Sequence, residues 1–218
     1  MNKIHASIDL DSASGNKLDD ILPIINKAFA RAVKVVNSKL KNINNGYDIN
    51  VVFKYDPKHT IPEDGIGGVA INSGYIVISL NPKIVVENTI YTTICHELAH
   101  CKRFTEQPKF DDRLVYGVIN EGLAVAFEEE IKDKKSKQTF FLKTINERSE
   151  PHKTFELLRK DLHSEKFDWG EIFIDGNKQK GIPRWAAYEI GYYLVKQKMK
   201  QTGKKASELF SVPSDDFL

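Results

Sequence analysis

The chain has 218 residues, room for one domain or one domain with a small lobe, and its 41% hydrophobic and 28% charged content is that of an ordinary soluble globular protein. Its 32 basic and 30 acidic residues leave a net charge of +2, so no global field draws it to nucleic acid or anionic lipid. No apolar run approaches the ~20 residues needed to cross a bilayer. The opening MNKIHASIDLDS alternates and carries acids, unlike a signal peptide, so the expectation is a cytoplasmic protein with neither a membrane nor a nucleic-acid partner.

In chain order, Ile4 to Leu10 alternates apolar and polar residues and predicts a strand. Asp19 and Asp20 then precede a long helical pattern with Pro23 in its first turn and an apolar face of Leu22, Ile25, Phe29, Ala32, Val33, Val36 and Leu40. Asn45-Gly46 stops it. A strand is expected over 49–55, and Ile66–Ile71 with Tyr75–Leu80 reads as a hairpin closed by Asn72-Ser73-Gly74, with glycine available for a positive φ. Helices follow over 84–104, 114–132, 152–163 and 183–201, the last ending before Gly203. Residues 132–137 are charge-rich and weakly patterned, and 169–181 read as a glycine-punctuated loop. The lysines at 196, 198, 200, 204 and 205 suit a solvated helix end, and the closing SVPSDDFL reads as loosely held. The order strands-with-one-helix, then helices only, predicts an α+β fold with a small mixed sheet: one domain over 1–218, with sheet and active-site helix in 1–104 and a helical half in 105–218.

The chemistry centres on TTICHELAHCKRF, which holds an HExxH at His96-Glu97-Leu98-Ala99-His100. Positions i and i+4 of a helix are about 40° apart around the axis, so both imidazoles reach one metal ion. Glu97 lies beside them, placed to take a proton from metal-activated water. Ile90, Ile94, Leu98 and Cys101 form a separate stripe, so the helix buries one face and presents its ligands on another. The flanks are apolar, and histidines buried there need partners. Cys95 and Cys101 are too far apart along one helix to bridge, each sits next to a better-placed histidine, and both read as small buried residues.

A catalytic zinc has three protein ligands and one open position. Twenty-one residues beyond His100 comes Glu121, in the helical segment VINEGLAVAFEEE, with Ile119, Leu123, Phe127 and Ile131 on the core side and Glu128 on the face of Glu121. HExxH followed by an Asn-Glu-Gly helix resembles the gluzincin, thermolysin-like metallopeptidases, and more narrowly the compact bacterial family of predicted Zn-dependent proteases. Three more segments carry the resemblance: Gly65-Ile66-Gly67-Gly68, Glu121-Gly122-Leu123-Ala124, and Pro183-Arg184-Trp185-Ala186-Ala187-Tyr188 with Gly191-Tyr192. It covers roughly residues 49–195 and implies a zincin-like fold, with one Zn²⁺ per chain on His96, His100 and Glu121, and Glu97 as general base. One position departs from thermolysin. The acidic residue expected one turn after the ligand glutamate is Val125 here, so the orienting partner comes from elsewhere, such as Glu128 or a main-chain carbonyl.

A rival third ligand is Asp111 or Asp112, which with Tyr116-Gly117 loosely resembles the aspartate-type zincins, although the spacing differs and Gly-Thr is missing. Peptidases of the gluzincin kind often use a tyrosine or histidine from a later helix as oxyanion donor. Tyr188 and Tyr192 share a face and either fits; Tyr188 matches the family's Tyr-x-x-Gly, and both also read as amphipathic core tyrosines. Arg184 suits a substrate carbonyl or carboxylate, or a structural ion pair. His5, His59, His152 and His163 lack partners at ligand spacing; His59, ahead of the glycine strand, is the one that would line a cleft.

The resulting expectation is a zinc peptidase acting on peptide or protein substrates, with an extended peptide paired to the edge strand 66–71. Two other readings use the same residues: a metal hydrolase of a non-peptide amide, and a catalytically silent zinc protein. An intact Glu97 and the lack of a clear fourth ligand argue against the silent one.

Overall fold

The computed structural model describes residues 3–9, 18–109, 111–132 and 138–218. The architecture is α+β, with one mixed four-stranded sheet, and the chain divides into two compact units, Met1–Glu106 with Ile131–Phe141 and Gln107–Glu130 with Leu142–Leu218. No helix among the described residues is long and apolar enough to cross a membrane.

The first unit holds β1 (Ile4–Asp9), α1 (Leu18–Lys39), β2 (Ile49–Tyr55), β3 (Ile66–Asn72), β4 (Tyr75–Leu80) and α2 (Glu87–Glu106). The strand order is β1-β2-β4-β3, with β1, β2 and β4 parallel and β3 antiparallel at the edge. Alternate residues of the central strands (Ile49, Val51 and Phe53 on β2; Ile76, Ile78 and Leu80 on β4) are buried, as the period of two requires. Helix α1 reaches this face through Phe29, whose ring stands edge-on to Phe53 at 6.5 Å. Helices α1 and α2 are joined by Lys27 to Glu87 at 2.6 Å and by Arg31, whose guanidinium lies 3.7 Å over the Tyr91 ring.

Several expectations shift here. Leu10 lies outside the described residues, and β1 ends at Asp9. Helix α1 begins at Leu18, so Pro23 is its sixth residue rather than part of the first turn. The buried stripe is Ile21, Ile25, Ala28, Ala32, Val36 and Leu40, starting one residue before the expected Leu22, while Leu22, Phe29 and Val33 only flank it. The β3–β4 turn keeps Gly74 out of the positive-φ region; Gly74 N instead donates to Asn72 Oδ1 at 2.8 Å, closing the turn through a side chain.

The second unit holds α3 (Leu114–Ile131, up to Glu130), most of α4 (Phe140–Asn146), α5 (Pro151–Leu158) and α6 (Ala186–Thr202). Helix α4 is absent from the sequence reading because seven residues carry little periodicity, and its start is fixed from far away: buried Asp64 accepts from Phe140 N at 2.7 Å and Phe141 N at 3.0 Å. That capping lies within the first unit. The expected loop 169–181 contains a π-helical stretch, Gly170–Asp175, and Trp169, just ahead of it, stacks on Phe173 at 3.7 Å. Helix α6 starts three residues later than expected. Trp185 sits in the left-handed region at φ 62°, which ends any helix running back to Pro183, and Arg148 Nη2 takes the carbonyl of Arg184 at 2.6 Å. Gly203 caps α6 as expected, donating to Met199 O.

The chain end is not loosely held. Phe217 and Ser214 are buried, Arg113 bonds Asp215, Gln107 Nε2 donates to Ser211 O, and Lys198 Nζ donates to Asp216 O. The lysines at 196 and 198 are therefore paired, Lys196 with Glu129 at 2.8 Å, rather than simply solvated. The charge-rich residues 133–137 fall outside the described residues.

Candidate metal centre

Helix α2 starts where Thr89 Oγ1 accepts from Val86 N at 3.2 Å and donates back to Val86 O at 2.8 Å, a reciprocal cap made by one hydroxyl. Further along, Thr105 Oγ1 donates to Ile43 O at 2.9 Å, and Lys102 Nζ donates to Lys41 O at 2.8 Å and pairs with Glu106. The helix is thereby tied to the segment after α1 in the turns that follow His100.

His96 and His100 lie one turn apart with ring centroids at 4.8 Å and planes at 73°. Both are 8% exposed and Glu97 is 5% exposed, so the motif is buried rather than displayed on a surface helix. The His96 ring meets Phe141 edge-on at 6.4 Å, and Phe141 is the residue whose N–H is held by Asp64. His100 stacks on Phe104 at 6.3 Å. Neither Asp64 nor Phe141 carried a signal in the sequence, because each acts through a partner about 77 residues away.

His96, His100 and Glu121 each offer one ligand atom, and these atoms all lie within 4.8 Å of one another. Two imidazoles and a carboxylate are a donor set that suits Zn²⁺. Among the described residues no fourth His, Cys, Asp or Glu joins the group.

Glu121 stands on α3 beside Gly122. A Cβ on Gly122 would run into the backbone of Gly191, and one on Gly191 would run into Val118 O, so α3 and α6 cross with their main chains in contact. One and two turns after Glu121 along α3, Val125 is core and Glu128 is buried. Tyr188, one turn before the crossing on α6, is half-buried, with the Phe173 ring edge-on at 6.2 Å. Tyr192, one residue after it, bonds Glu129; burial and the Glu129 charge hold its phenol well above the usual tyrosine range. Arg184 is exposed and lies 3.9 Å over the Trp185 ring.

The remaining candidates have other partners. Asp111 is engaged by Arg113 through Nε and Nη2, at 2.9, 3.2 and 2.6 Å, which holds its carboxyl below the usual range. Asp112 is exposed. His5 pairs with Asp48, His59 with Asp56, and His163 with Asp215, while His152 is exposed. Cys95 and Cys101 are buried and form no disulfide, and neither joins the group of His96, His100 and Glu121; burial and the nearby Glu97 charge push the Cys101 thiol far up, and its Sγ donates to Asn72 O.

Glycines of β3 come close to this helix. A Cβ on Gly68 would lie 2.5 Å from Glu97 Oε1. In the sequence these glycines read as room for an extended peptide along the strand; at Gly68 the neighbour is Glu97.

No curated protein and no solved structure matches the chain. Residues 27–218 match the model of a family described as Predicted Zn-dependent protease (DUF2268), a span that takes in His96, Glu97, His100, Glu121, Tyr188 and Tyr192. The chain belongs to that family of predicted Zn-dependent proteases.

Proposed function

We propose that the protein is a gluzincin-type zinc peptidase, in one zincin-like metallopeptidase domain, that hydrolyses peptide bonds with His96, His100 and Glu121 as ligands and Glu97 as general base. The observation that carries the reading is the three-residue group within 4.8 Å, two of whose members flank a buried glutamate on the same helical turn. Zinc on such a set supplies a Lewis acid that polarises a carbonyl and makes water acidic enough to lose a proton near neutral pH. Glu97 accepts the proton of the attacking water and returns it to the departing amine. The absence of a fourth ligand among the described residues favours an open, catalytic site over a closed structural one.

The oxyanion donor is assigned to Tyr188, which matches the family's Tyr-x-x-Gly, with Tyr192, one turn further along α6, as the alternative. An extended peptide adds to the outer edge of β3 from Gly67 onward, beyond the single bridge that Ile61 makes with Ile66. Main-chain hydrogen bonds at that edge hold the substrate, and the site sits toward one end of the strand.

Metal analysis and a peptide library test this together. The purified protein should carry about one zinc per chain, lost in His96→Ala and His100→Ala. Glu97→Gln should keep zinc while cleavage falls at least ~10²-fold. Zinc retained in both histidine variants would sink the site, and zinc lost from Glu97→Gln would make Glu97 a ligand.

A further inference from the structure

Ile8, Phe53, Ile78 and Gly68 are register partners across all four strands. Register partners project to one face of a sheet, and Phe29 of α1 lies against Phe53, so this is the face the helices cover. Three members of the row present an apolar side chain and the fourth presents none. Into that gap comes Glu97: a Cβ built on Gly68 would lie 2.5 Å from its Oε1, 2.7 Å from its Cγ and 2.8 Å from its Cδ. All three are well inside the ~3.5–4.0 Å of ordinary carbon contact.

Gly67 faces the opposite side of the sheet, and a Cβ there would run into the carbonyl oxygen of His59, at the end of the 3-10 turn Pro57–His59. The strand is closed in on both faces, by main chain at Gly67 and by a carboxylate at Gly68. It therefore has little room to retreat from α2.

We propose that Gly68 is a positioning residue for Glu97: its missing side chain is the seat in which the carboxylate rests against the edge strand. The proposal rests on the reading of Glu97 as general base. A base works only within about 2.6–3.2 Å of the proton it takes, and a misplacement of about 1 Å costs on the order of 10²-fold in rate. The two neighbouring glycines should respond differently to one added methyl. At Gly68 it strikes the far end of a flexible side chain, which yields while the fold holds. At Gly67 it strikes a backbone carbonyl, which does not yield, so the fold suffers instead.

The test is Gly68→Ala, read by zinc content, by the split between kcat and KM, and by a crystal structure of the variant. Zinc should remain, kcat should fall about 10²-fold with KM within about a factor of three, and the Glu97 carboxylate should have moved with β3 in place. A loss confined to KM would mean that Gly68 serves peptide pairing only, and would overturn the proposal. So would wild-type kcat, or a carboxylate still in its seat. Should Gly68→Ala not fold, adding Glu97→Ala removes the atoms it strikes and should restore folding; a double variant as unfolded as the single one counts against the seat. If the wild-type protein cleaves no peptide, the peptidase reading fails, and the position of the carboxylate in Gly68→Ala still decides whether Gly68 seats it.

Discussion

Helix α2, which carries His96, Glu97 and His100, is tied along its length by polar side chains, whereas α3, which carries Glu121, crosses α6 at a point where both side chains are missing. On α2, Thr89 caps the first turn, Tyr91 donates to Ile131 O at 3.3 Å, and Lys102 and Thr105 donate to carbonyls at 41 and 43. Each bond is directional, and together they fix rotation about the helix axis, which decides where the two imidazoles point. On α3, Gly122 meets Gly191 of α6 backbone to backbone. Such contact fixes depth: helices normally stand 8–10 Å apart on their side chains, and glycine lets two axes come closer. The first kind of control acts within the unit that holds α2, the second within the unit that holds α3 and α6.

The largest effect should come from filling the glycine crossing. Gly→Ala inside a helix ordinarily stabilises by up to about 1 kcal/mol. At Gly191 the added Cβ would meet Val118 O, and Gly122 N at 2.8 Å, and neither can move without shifting α3. Overpacking of that kind costs about 1–3 kcal/mol, so Gly191→Ala should lower the denaturation midpoint despite its better helix propensity. An unchanged or raised midpoint would show that the crossing has slack and that depth is not set there.

A smaller effect should follow from cutting one polar tie on α2. Lys102 is 8% exposed and its Nζ donates to Lys41 O at 2.8 Å. Lys102→Met keeps the apolar stem and removes the donor, leaving that carbonyl and Glu106 without it, at about 1–2 kcal/mol. Guanidinium or thermal unfolding reads the loss directly. A neutral result would mean that water replaces the ammonium, and that rotation of α2 is fixed by its packing alone.

The difference between the helices also explains what the sequence could reveal. HExxH is local, so the adjacency of His96, Glu97 and His100 on one turn and their buried flanks were legible from spacing. The order of strands and helices was legible for the same reason, since the period of two and of 3.6 are short-range signals. What escaped depends on distant partners. Helix α4 is started by Asp64, about 76 residues upstream. The chain end is anchored by Arg113, 102 residues away, so a polar, proline-containing tail looked free. The start of α6 is set by a left-handed Trp185, a conformation that side-chain size argues against and that no pattern announces. Gly68 and Gly191 fall between these cases: the residues stood out, but which atoms crowd them could be read only from the fold.

The smallest expected effect concerns the rival carboxylate. Asp111 is held by a two-pronged contact with Arg113, which also bonds Asp215 at 3.1 and 3.0 Å. That hydrogen bond, more than the bare charge, depresses its pKa below the ordinary 3.8. A carboxylate whose folded pKa is depressed adds stability above its unfolded pKa and loses it as pH falls through the folded value. Asp111→Asn should therefore be less stable than wild type at neutral pH, and the gap should close as pH drops below about 3.8. The site is partly solvated, so the gap should stay under about 1 kcal/mol. Zinc content separates this role from that of a ligand: Glu121→Ala should weaken zinc binding severely, and Asp111→Asn should leave it alone. Zinc loss from Asp111→Asn with retention in Glu121→Ala would move the third ligand from Glu121 to Asp111.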